Sequence, residues 1–158
     1  MKKIISLVIT LTIMITTGMS AFAVTSQDAL NFFNNYVKAA NTYSNTLTTM
    51  YAPDAKNIRQ VVKPDGGLAN AYTNTATYIT QMKIGQATAK MRGYTNSYSN
   101  IKVTQVGKDT FKISSLRQPK GETYKLKAYM IVKPVNGKLQ IVEELMQTKE
   151  QIFLRYAK

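Results

Sequence analysis

The chain has 158 residues, a formal net charge of +13, and neither cysteine nor histidine. Without cysteine it has no disulfide, thiol nucleophile or thiolate metal site. Without histidine it lacks the commonest general base and the commonest transition-metal ligand. Catalysis by Ser-His-Asp or Cys-His groups is therefore excluded, and carboxylates, tyrosines and basic residues remain as the groups that could carry a function.

The first 23 residues have the pattern of a signal peptide. Two lysines follow the initiating methionine, residues 4–15 form an apolar run, and residues 21–23 form an A-x-A cleavage site. The run is shorter than the roughly 20 residues of a membrane-spanning helix, and no cysteine follows to accept a lipid. We therefore predict export to the periplasm or the medium without a transmembrane anchor, and one mature domain over residues 24–158.

The charge of the mature domain favours anionic partners. Cleavage removes two lysines and leaves a net charge of +11, which suits lipid head groups, lipopolysaccharide, acidic glycans or nucleic acid. The positive residues are dispersed, so a solvated basic surface is the simpler interpretation. Tyrosines on such a surface could stack on bases, but the predicted export of the protein makes nucleic acid an unfavoured partner.

The carboxylates of the mature domain do not predict a metal site. There are eight of them, and none are grouped with the spacing of a metal-binding loop. The sequence also lacks a glycine-rich phosphate loop. We predict neither a metal nor a cofactor.

The N-terminal half predicts two helices. Thr25 or Ser26 can cap a first helix, whose apolar positions keep helical spacing as far as Leu47, with a bend near residues 41–45. Residues 50–55 then predict a turn, residues 58–62 a short strand, and residues 71–91 a second helix.

From residue 99 the apolar period changes from 3.6 to 2. This alternation predicts four half-buried antiparallel strands, joined at residues 107–109, at residues 118–122 and at Asn136-Gly137, the last being a strong hairpin signal. Two helices followed by a meander of strands predict an α+β fold, with the helices packed on one face of a bent sheet.

Three segments carry a resemblance to a known family: A-L-x-F-F-x-x-Y at residues 29–36, L-x-x-M-Y-A-P-D-A at 47–55 and G-K-L-Q-I-V-E-E at 137–144. With these segments the chain resembles the nuclear transport factor 2-like superfamily, which includes polyketide cyclase-like and ketosteroid isomerase-like proteins. The resemblance implies a strongly bent sheet that forms a cone, an internal pocket open at one end, and frequent dimers through the outer sheet face. Enzymes, binding proteins and assembly modules share this fold, so it does not assign a function.

Enzymes of this superfamily commonly use an aspartate inside the cone. Asp54 matches the aspartate of Y-A-P-D-A, but we interpret it as a helix cap or a turn residue. A regular hairpin instead pairs Val132 with Ile141 and Met130 with Glu143, which points Glu143 to the apolar face.

A carboxylate at that place needs a partner, and Arg117 on the preceding strand could reach Glu143. Three interpretations stay open: a structural ion pair, a bulge that turns Glu143 outward, or a pocket group that orients a ligand or acts as a general base. Glu144, beside Tyr129 on the other face, is expected to meet solvent or a subunit. Tyrosines on the helices could line the pocket or simply fill the core. The predicted pocket residues are Tyr36, Tyr43, Tyr78, Arg117, Met130 and Glu143.

Three classes of function follow. The leading hypothesis is an exported, non-enzymatic module that binds a protein partner or a small apolar or amphipathic ligand with an anionic head, such as a lipid. The second is a cofactor-independent isomerase, lyase or hydrolase with Glu143 as base and a tyrosine as electrophile. The third is an assembly module or homodimer that uses apolar residues on the outer sheet face. The predicted interface residues are Tyr129, Ile131, Val142 and Met146.

Overall fold

The computed structural model describes residues 23–157. Apart from Ala23, the predicted signal peptide lies outside the described residues. Within the described range, none of the helices combines the length and apolar character that crossing a membrane requires.

The described chain folds into two α-helices, two short 3-10 segments and six strands, with two strands between the α-helices and four after them. In chain order the elements are α1 (Ser26–Asn41), a 3-10 segment (Asn45–Met50), β1 (Tyr51–Val62), β2 (Leu68–Thr73), α2 (Thr75–Met91), β3 (Asn96–Gly107), β4 (Thr110–Pro119), β5 (Leu126–Val135), β6 (Lys138–Thr148) and a second 3-10 segment (Gln151–Tyr156).

The six strands form one sheet in the order β2-β1-β6-β5-β4-β3. Neighbouring strands are antiparallel except for β1 and β6, which run parallel. The predicted α+β class is confirmed, but the sheet is mixed because β1 joins it beside the last strand rather than beside β3. The sheet is open, and β2 and β3 are its edges.

Helix α1 begins where its cap residue predicts. The Thr25 side chain accepts the backbone N–H of Asp28, while Asp28 accepts the backbone N–H of Thr25 in return. The helix ends at Asn41 and does not continue to Leu47, because Tyr43 adopts a left-handed φ of 56° that an α-helix cannot contain. Leu47 is nevertheless buried, in the 3-10 segment that follows.

Two predicted boundaries in the N-terminal half are wrong. Residues 50–55 are not a turn, because Tyr51 starts β1, whose pairing with β6 is interrupted by an irregularity between Tyr51 and Lys56. The second helix starts at Thr75 and is capped by Asn74. The preceding residues 68–73 instead form β2, which pairs with β1 and so satisfies its backbone hydrogen bonds across the sheet.

The β5–β6 hairpin contains a bulge that changes the predicted register. Asn136 and Gly137 both have positive φ, as a type I′ turn requires, and Val132 pairs with Ile141 as predicted. Beyond that pair the register shifts at Val142.

The bulge reverses the faces of the rest of β6. Met130 pairs with Glu144, so the predicted pairing of Met130 with Glu143 is wrong. One extra residue in one strand moves every later side chain to the opposite face. Glu144 therefore faces the helices and Glu143 faces away from them. Met146 pairs with the buried Ala128, so it lies on the inner face and not on the predicted outer face.

The core lies between the inner face of the sheet and the helices, with α1 packed over β3 and β4. Burying each large apolar side chain contributes roughly 1.5–3 kcal/mol relative to leaving it exposed. The large buried side chains of this core are Phe33, Tyr36, Leu47, Tyr51, Tyr78, Phe111, Ile113, Met130, Val132 and Ile141.

Candidate functional site

Glu144 is fully buried (0 % exposed) and accepts hydrogen bonds from four side chains. Its Oε1 accepts the hydroxyls of Tyr36 at 2.9 Å and Tyr51 at 2.8 Å. Its Oε2 accepts the hydroxyl of Tyr78 at 2.8 Å and Nη1 of Arg59 at 3.2 Å. We call these five residues the Glu144 network. A carboxylate offers about four acceptor positions, so the acceptor capacity of Glu144 is filled.

Four separate elements bring the network together. Tyr36 lies on the buried face of α1, one turn after Phe33, and Tyr78 lies near the start of α2. Tyr51 and Arg59 come from β1, and Glu144 from β6. Arg59 Nη2 also donates to the Tyr78 hydroxyl, so the arginine, the tyrosine and the carboxylate bond to one another in a closed ring.

The electrostatics of the network favour neutral tyrosines and a charged arginine. Burial, with the nearby Glu144 carboxyl, raises the pKa of Tyr36 and Tyr51 well above their usual range. Burial also raises the pKa of Tyr78 to about 12, although Arg59 opposes that rise. Burial acts to lower the pKa of Arg59, but Tyr78 and Glu144 outweigh it and the pKa is raised.

This arrangement is not suited to base catalysis by Glu144. A general base must place a free lone pair within hydrogen-bond reach of a substrate proton. Glu144 is enclosed and receives a donor at each acceptor position. The network therefore acts as a structural connection between α1, α2, β1 and β6.

A cavity of about 280 Å³ lies beside the network. Arg59, Arg117 and Met146 line it from the sheet, and Phe153 of the second 3-10 segment also contributes to the wall. Glu150, an exposed residue, lines it as well.

Arg117 is the most unusual residue of this cavity. It is only 7 % exposed, and its guanidinium donates to Asn96 Oδ1 at 2.7 Å, to the Tyr94 hydroxyl at 3.2 Å and to the backbone carbonyl of Gln147 at 2.8 Å. Its buried Nε has no acceptor in the structure. Among residues 23–157, no carboxylate lies within 4.0 Å of this guanidinium. Arg117 is therefore a buried cation held by neutral groups, an arrangement that costs free energy unless an anion compensates it.

Glu143, the predicted pocket carboxylate, lies on the outer face. It accepts the Tyr129 hydroxyl at 2.6 Å and is 3.7 Å from Lys56 Nζ. The predicted contact with Arg117 is wrong, because the bulge places the two side chains on opposite faces of the sheet. Of the three interpretations of Glu143, the second is correct: a bulge turns its side chain outward.

The expectation for Glu144 is also wrong, because its side chain meets the helices rather than solvent. Tyr36 and Tyr78, two of the predicted pocket residues, converge on this carboxylate, and Met130 is buried opposite it in the sheet. Tyr43 lies apart and donates to the backbone carbonyl of Tyr94. That any of these residues contacts a ligand stays a prediction.

Sequence reasoning missed Tyr51 and Arg59. The sequence pattern predicts a turn at Tyr51 and a short strand over residues 58–62, and it assigns neither Tyr51 nor Arg59 to the pocket. Had residues 51–62 been taken as one strand, alternation would have placed Asn57, Arg59 and Val61 on one face. Asp54 is exposed on β1, so it does not enter the interior.

On the outer sheet face, Tyr129 and Ile131 lie where the sequence predicted. Val142 is the bulge residue and packs against the hydrophobic core, so its predicted place in the outer face is wrong. The Tyr129 ring lies 4.1 Å from Lys112 Nζ, and a groove of about 410 Å³ beside it includes Lys112 and Lys127. A dimer through this face stays a prediction, without Val142 and Met146.

Within the described part of the chain, no group of three or more carboxylate, histidine or cysteine side chains is placed to hold a metal ion.

Solved structures of three bacterial proteins resemble this chain. A nuclear transport factor 2-like protein of unknown function from Pseudomonas putida has a TM-score of 0.59 at 12 % identity, covering 77 % of this chain and 84 % of that protein. A similar protein from Shewanella oneidensis has a TM-score of 0.58 at 10 % identity, covering 78 % and 98 %. A scytalone dehydratase-like protein from Novosphingobium aromaticivorans has a TM-score of 0.56 at 15 % identity, covering 76 % and 80 %.

The chain therefore has the nuclear transport factor 2-like fold, as its sequence resemblance predicted. No protein-family model and no curated protein matches its sequence. At these identities the structural similarity defines the fold alone, and the function has to be argued from the site.

Proposed function

We propose that this chain is an exported binding protein without catalytic activity, which receives the anionic group of a small amphipathic ligand in the cavity between Arg59 and Arg117. The observation that carries the proposal is the buried guanidinium of Arg117, which has only neutral partners among the described residues and belongs to the wall of that cavity. An anion bound there would supply the missing counter-charge.

The charges around the cavity support this assignment. Arg59 is the second cation of the wall, but Glu144 already neutralises it at 3.2 Å. Arg117 therefore carries the uncompensated positive charge. Glu150 also lines the cavity and opposes an anion, but it is exposed, so solvent and salt screen its charge more than they screen the buried Arg117.

The dimensions favour a small ligand. The cavity of about 280 Å³ lies just below the usual range for drug-sized ligands, roughly 300–1,000 Å³. A second cavity of about 180 Å³ shares Arg117, Tyr94 and Glu150 with the first. Its wall is mostly polar and includes Glu122 and Lys149 beside Tyr124 and Leu126. The first cavity suits a carboxylate or phosphate with a short apolar extension, because Met146 and Phe153 lie in the same wall as Arg117.

The alternative hypothesis, in which the protein is an enzyme and Glu143 is its general base, is no longer supported. That reading required Glu143 to face an interior cavity, and its carboxylate instead binds Tyr129 on the outer face. Glu144, the carboxylate that is inside, is already saturated by hydrogen-bond donors.

The proposal is tested by binding measurements with octanoate, octyl phosphate and the neutral octanol as probes. The exported protein is first examined by native mass spectrometry for a ligand carried from its host. We expect octanoate or octyl phosphate to raise the melting temperature and to give measurable heat in calorimetry, and octanol to do neither. Octanol shares the apolar chain but lacks the charge that Arg117 requires.

Three variants locate the site. Arg117→Gln should weaken anion binding about 10- to 100-fold, the effect of losing a charge-assisted hydrogen bond worth roughly 1.5–3 kcal/mol. Arg92→Gln removes the same charge from an exposed arginine that ends α2 and should bind like the unmodified protein. Met146→Phe fills the cavity without changing charge and should also weaken binding.

Equal binding of octanol and octanoate would contradict the proposal. So would unchanged anion affinity in both Arg117→Gln and Met146→Phe. The binding function itself would be contradicted if protein purified from its host carries no ligand and if neither anionic probe shifts its melting temperature.

A further inference from the structure

Val24, the residue that follows the predicted cleavage site, contacts a turn that is distant in sequence. The backbone N–H of Val24 donates to Asp109 Oδ1 at 3.1 Å, joining positions 85 residues apart. The contact is partly buried, and the Val24 side chain packs against the hydrophobic core. Asp109 lies in the turn between β3 and β4.

The position of this contact coincides with the predicted cleavage site. Ala23 is exposed, and Val24 is the first residue after the A-x-A pattern. Hydrolysis of the Ala23–Val24 peptide bond consumes one water, leaves a carboxylate on Ala23 and leaves the nitrogen on Val24 as a primary amine. An α-amino group has a usual pKa of about 7.7–8.0, so it is mostly protonated at neutral pH.

We propose that the mature chain begins at Val24 and that its new α-ammonium forms an ion pair with Asp109, which fixes the N-terminus to the β3–β4 turn. In the unprocessed chain the same nitrogen is a neutral amide donor. Cleavage therefore converts an ordinary hydrogen bond into a charge-assisted one, which is roughly twice as strong. This inference is independent of the ligand proposed above.

The surroundings of Val24 make a counter-charge necessary. A positive charge at the start of α1 opposes the helix dipole, whose N-terminal end is itself positive. Asp28 lies in the first turn of α1, but its carboxylate already accepts the N–H and the hydroxyl of Thr25. Lys108, next to Asp109, adds a further positive charge. Asp109 is thus the carboxylate that contacts the new terminus directly.

Asp109→Asn isolates the charge of this contact. Asp109 has a φ of 50°, a left-handed conformation in which asparagine is as well tolerated as aspartate. An asparagine side chain also keeps an oxygen that can accept the hydrogen bond. The substitution therefore removes the ion pair while preserving the turn.

The first measurement is the intact mass of the protein exported with its own leader, which should correspond to a chain that starts at Val24. The second compares this mature chain with the same chain acetylated on its α-amine. Asp109→Asn should lower the melting temperature of the free-amine chain by about 3 to 5 °C, the shift expected for one charge-assisted hydrogen bond in a domain of this size. In the acetylated chain, Asp109→Asn should lower the melting temperature by less than about 1 °C.

Asp65→Asn is the matched control, because Asp65 is an exposed turn carboxylate that accepts the backbone N–H of Gly67. Its effect should be the same in both forms of the chain. A mature mass that starts at any other residue overturns the proposal. An equal effect of Asp109→Asn in the free-amine and acetylated chains overturns the ion pair.

Discussion

Glu143 and Glu144 are neighbours in sequence and occupy opposite sides of the sheet. Glu143 binds Tyr129 and Lys56 at the outer face, whereas Glu144 is enclosed by three tyrosine hydroxyls and Arg59. The bulge at Val142 determines which of the two glutamates enters the interior. The two carboxylates thus form a natural pair for experiments, with the same chemistry in opposite environments.

Glu144→Gln should destabilise the fold by roughly 3–5 kcal/mol, because it leaves the half-buried Arg59 without its counter-charge inside the Glu144 network. Glu143→Gln should cost less than about 1 kcal/mol, since its ion pair with Lys56 is largely exposed. Urea unfolding at neutral pH measures both. Equal effects of the two substitutions would show that the bulge does not place Glu144 inside and Glu143 outside.

Tyr78→Phe should cost about 1.5–3 kcal/mol, the usual value for a hydrogen bond to a charged group. Tyr43→Phe removes a hydroxyl that donates to a backbone carbonyl at the surface, so it should cost no more than about 1 kcal/mol. The free energies of unfolding of the two variants give the comparison. A larger loss for Tyr43→Phe would contradict the central place of the Glu144 network.

Alkaline pH should weaken the fold through the buried tyrosines. Burial raises the pKa of Tyr78 to about 12 in the folded chain, against about 10 when unfolded. Above pH 10 the unfolded chain binds fewer protons at this residue than the folded chain does, so the free energy of unfolding falls as pH rises. The contribution of Tyr78 is fully present below pH 10 and is lost as pH rises toward 12.

Urea unfolding between pH 8 and pH 11.5, with phenolate absorbance of the folded protein, tests this dependence. Tyr78→Phe should flatten the decline above about pH 10. Titration of Tyr78 in the folded protein at its ordinary pKa would contradict the burial of its hydroxyl.

We predict a homodimer through the outer sheet face, where Ile131 lies beside Tyr129. We expect a dimer in sedimentation at micromolar concentration, and its dissociation by Ile131→Lys, which places a charge at the apolar residue of the predicted interface. Ile84→Lys makes the same change at a residue of α2 that is 71 % exposed, and should leave the association unchanged. A monomeric unmodified protein would remove this prediction.

Local signals in the sequence were sufficient for several features. The cap of α1 needs only Thr25 and Asp28, and the hairpin turn needs only Asn136 and Gly137, which accept positive φ. The period-2 alternation after residue 99 likewise predicted the four C-terminal strands. In each case residues close in sequence determine the backbone by themselves.

The site depended on contacts that no local pattern contains. A single bulged residue, Val142, exchanged the faces of Glu143 and Glu144, and an alternation pattern cannot place such an insertion because it is set by packing across the hairpin. Tyr51 belongs to a strand because β6 pairs with it, across 90 positions. Among residues 23–157, Arg117 has only neutral partners, because Asn96, Tyr94 and Gln147 surround it in space. The sequence by itself determined the fold class and the local caps and turns. The tertiary structure alone decided which carboxylate is enclosed and which arginine has only neutral partners among residues 23–157, because burial and pairing arise only when distant strands meet.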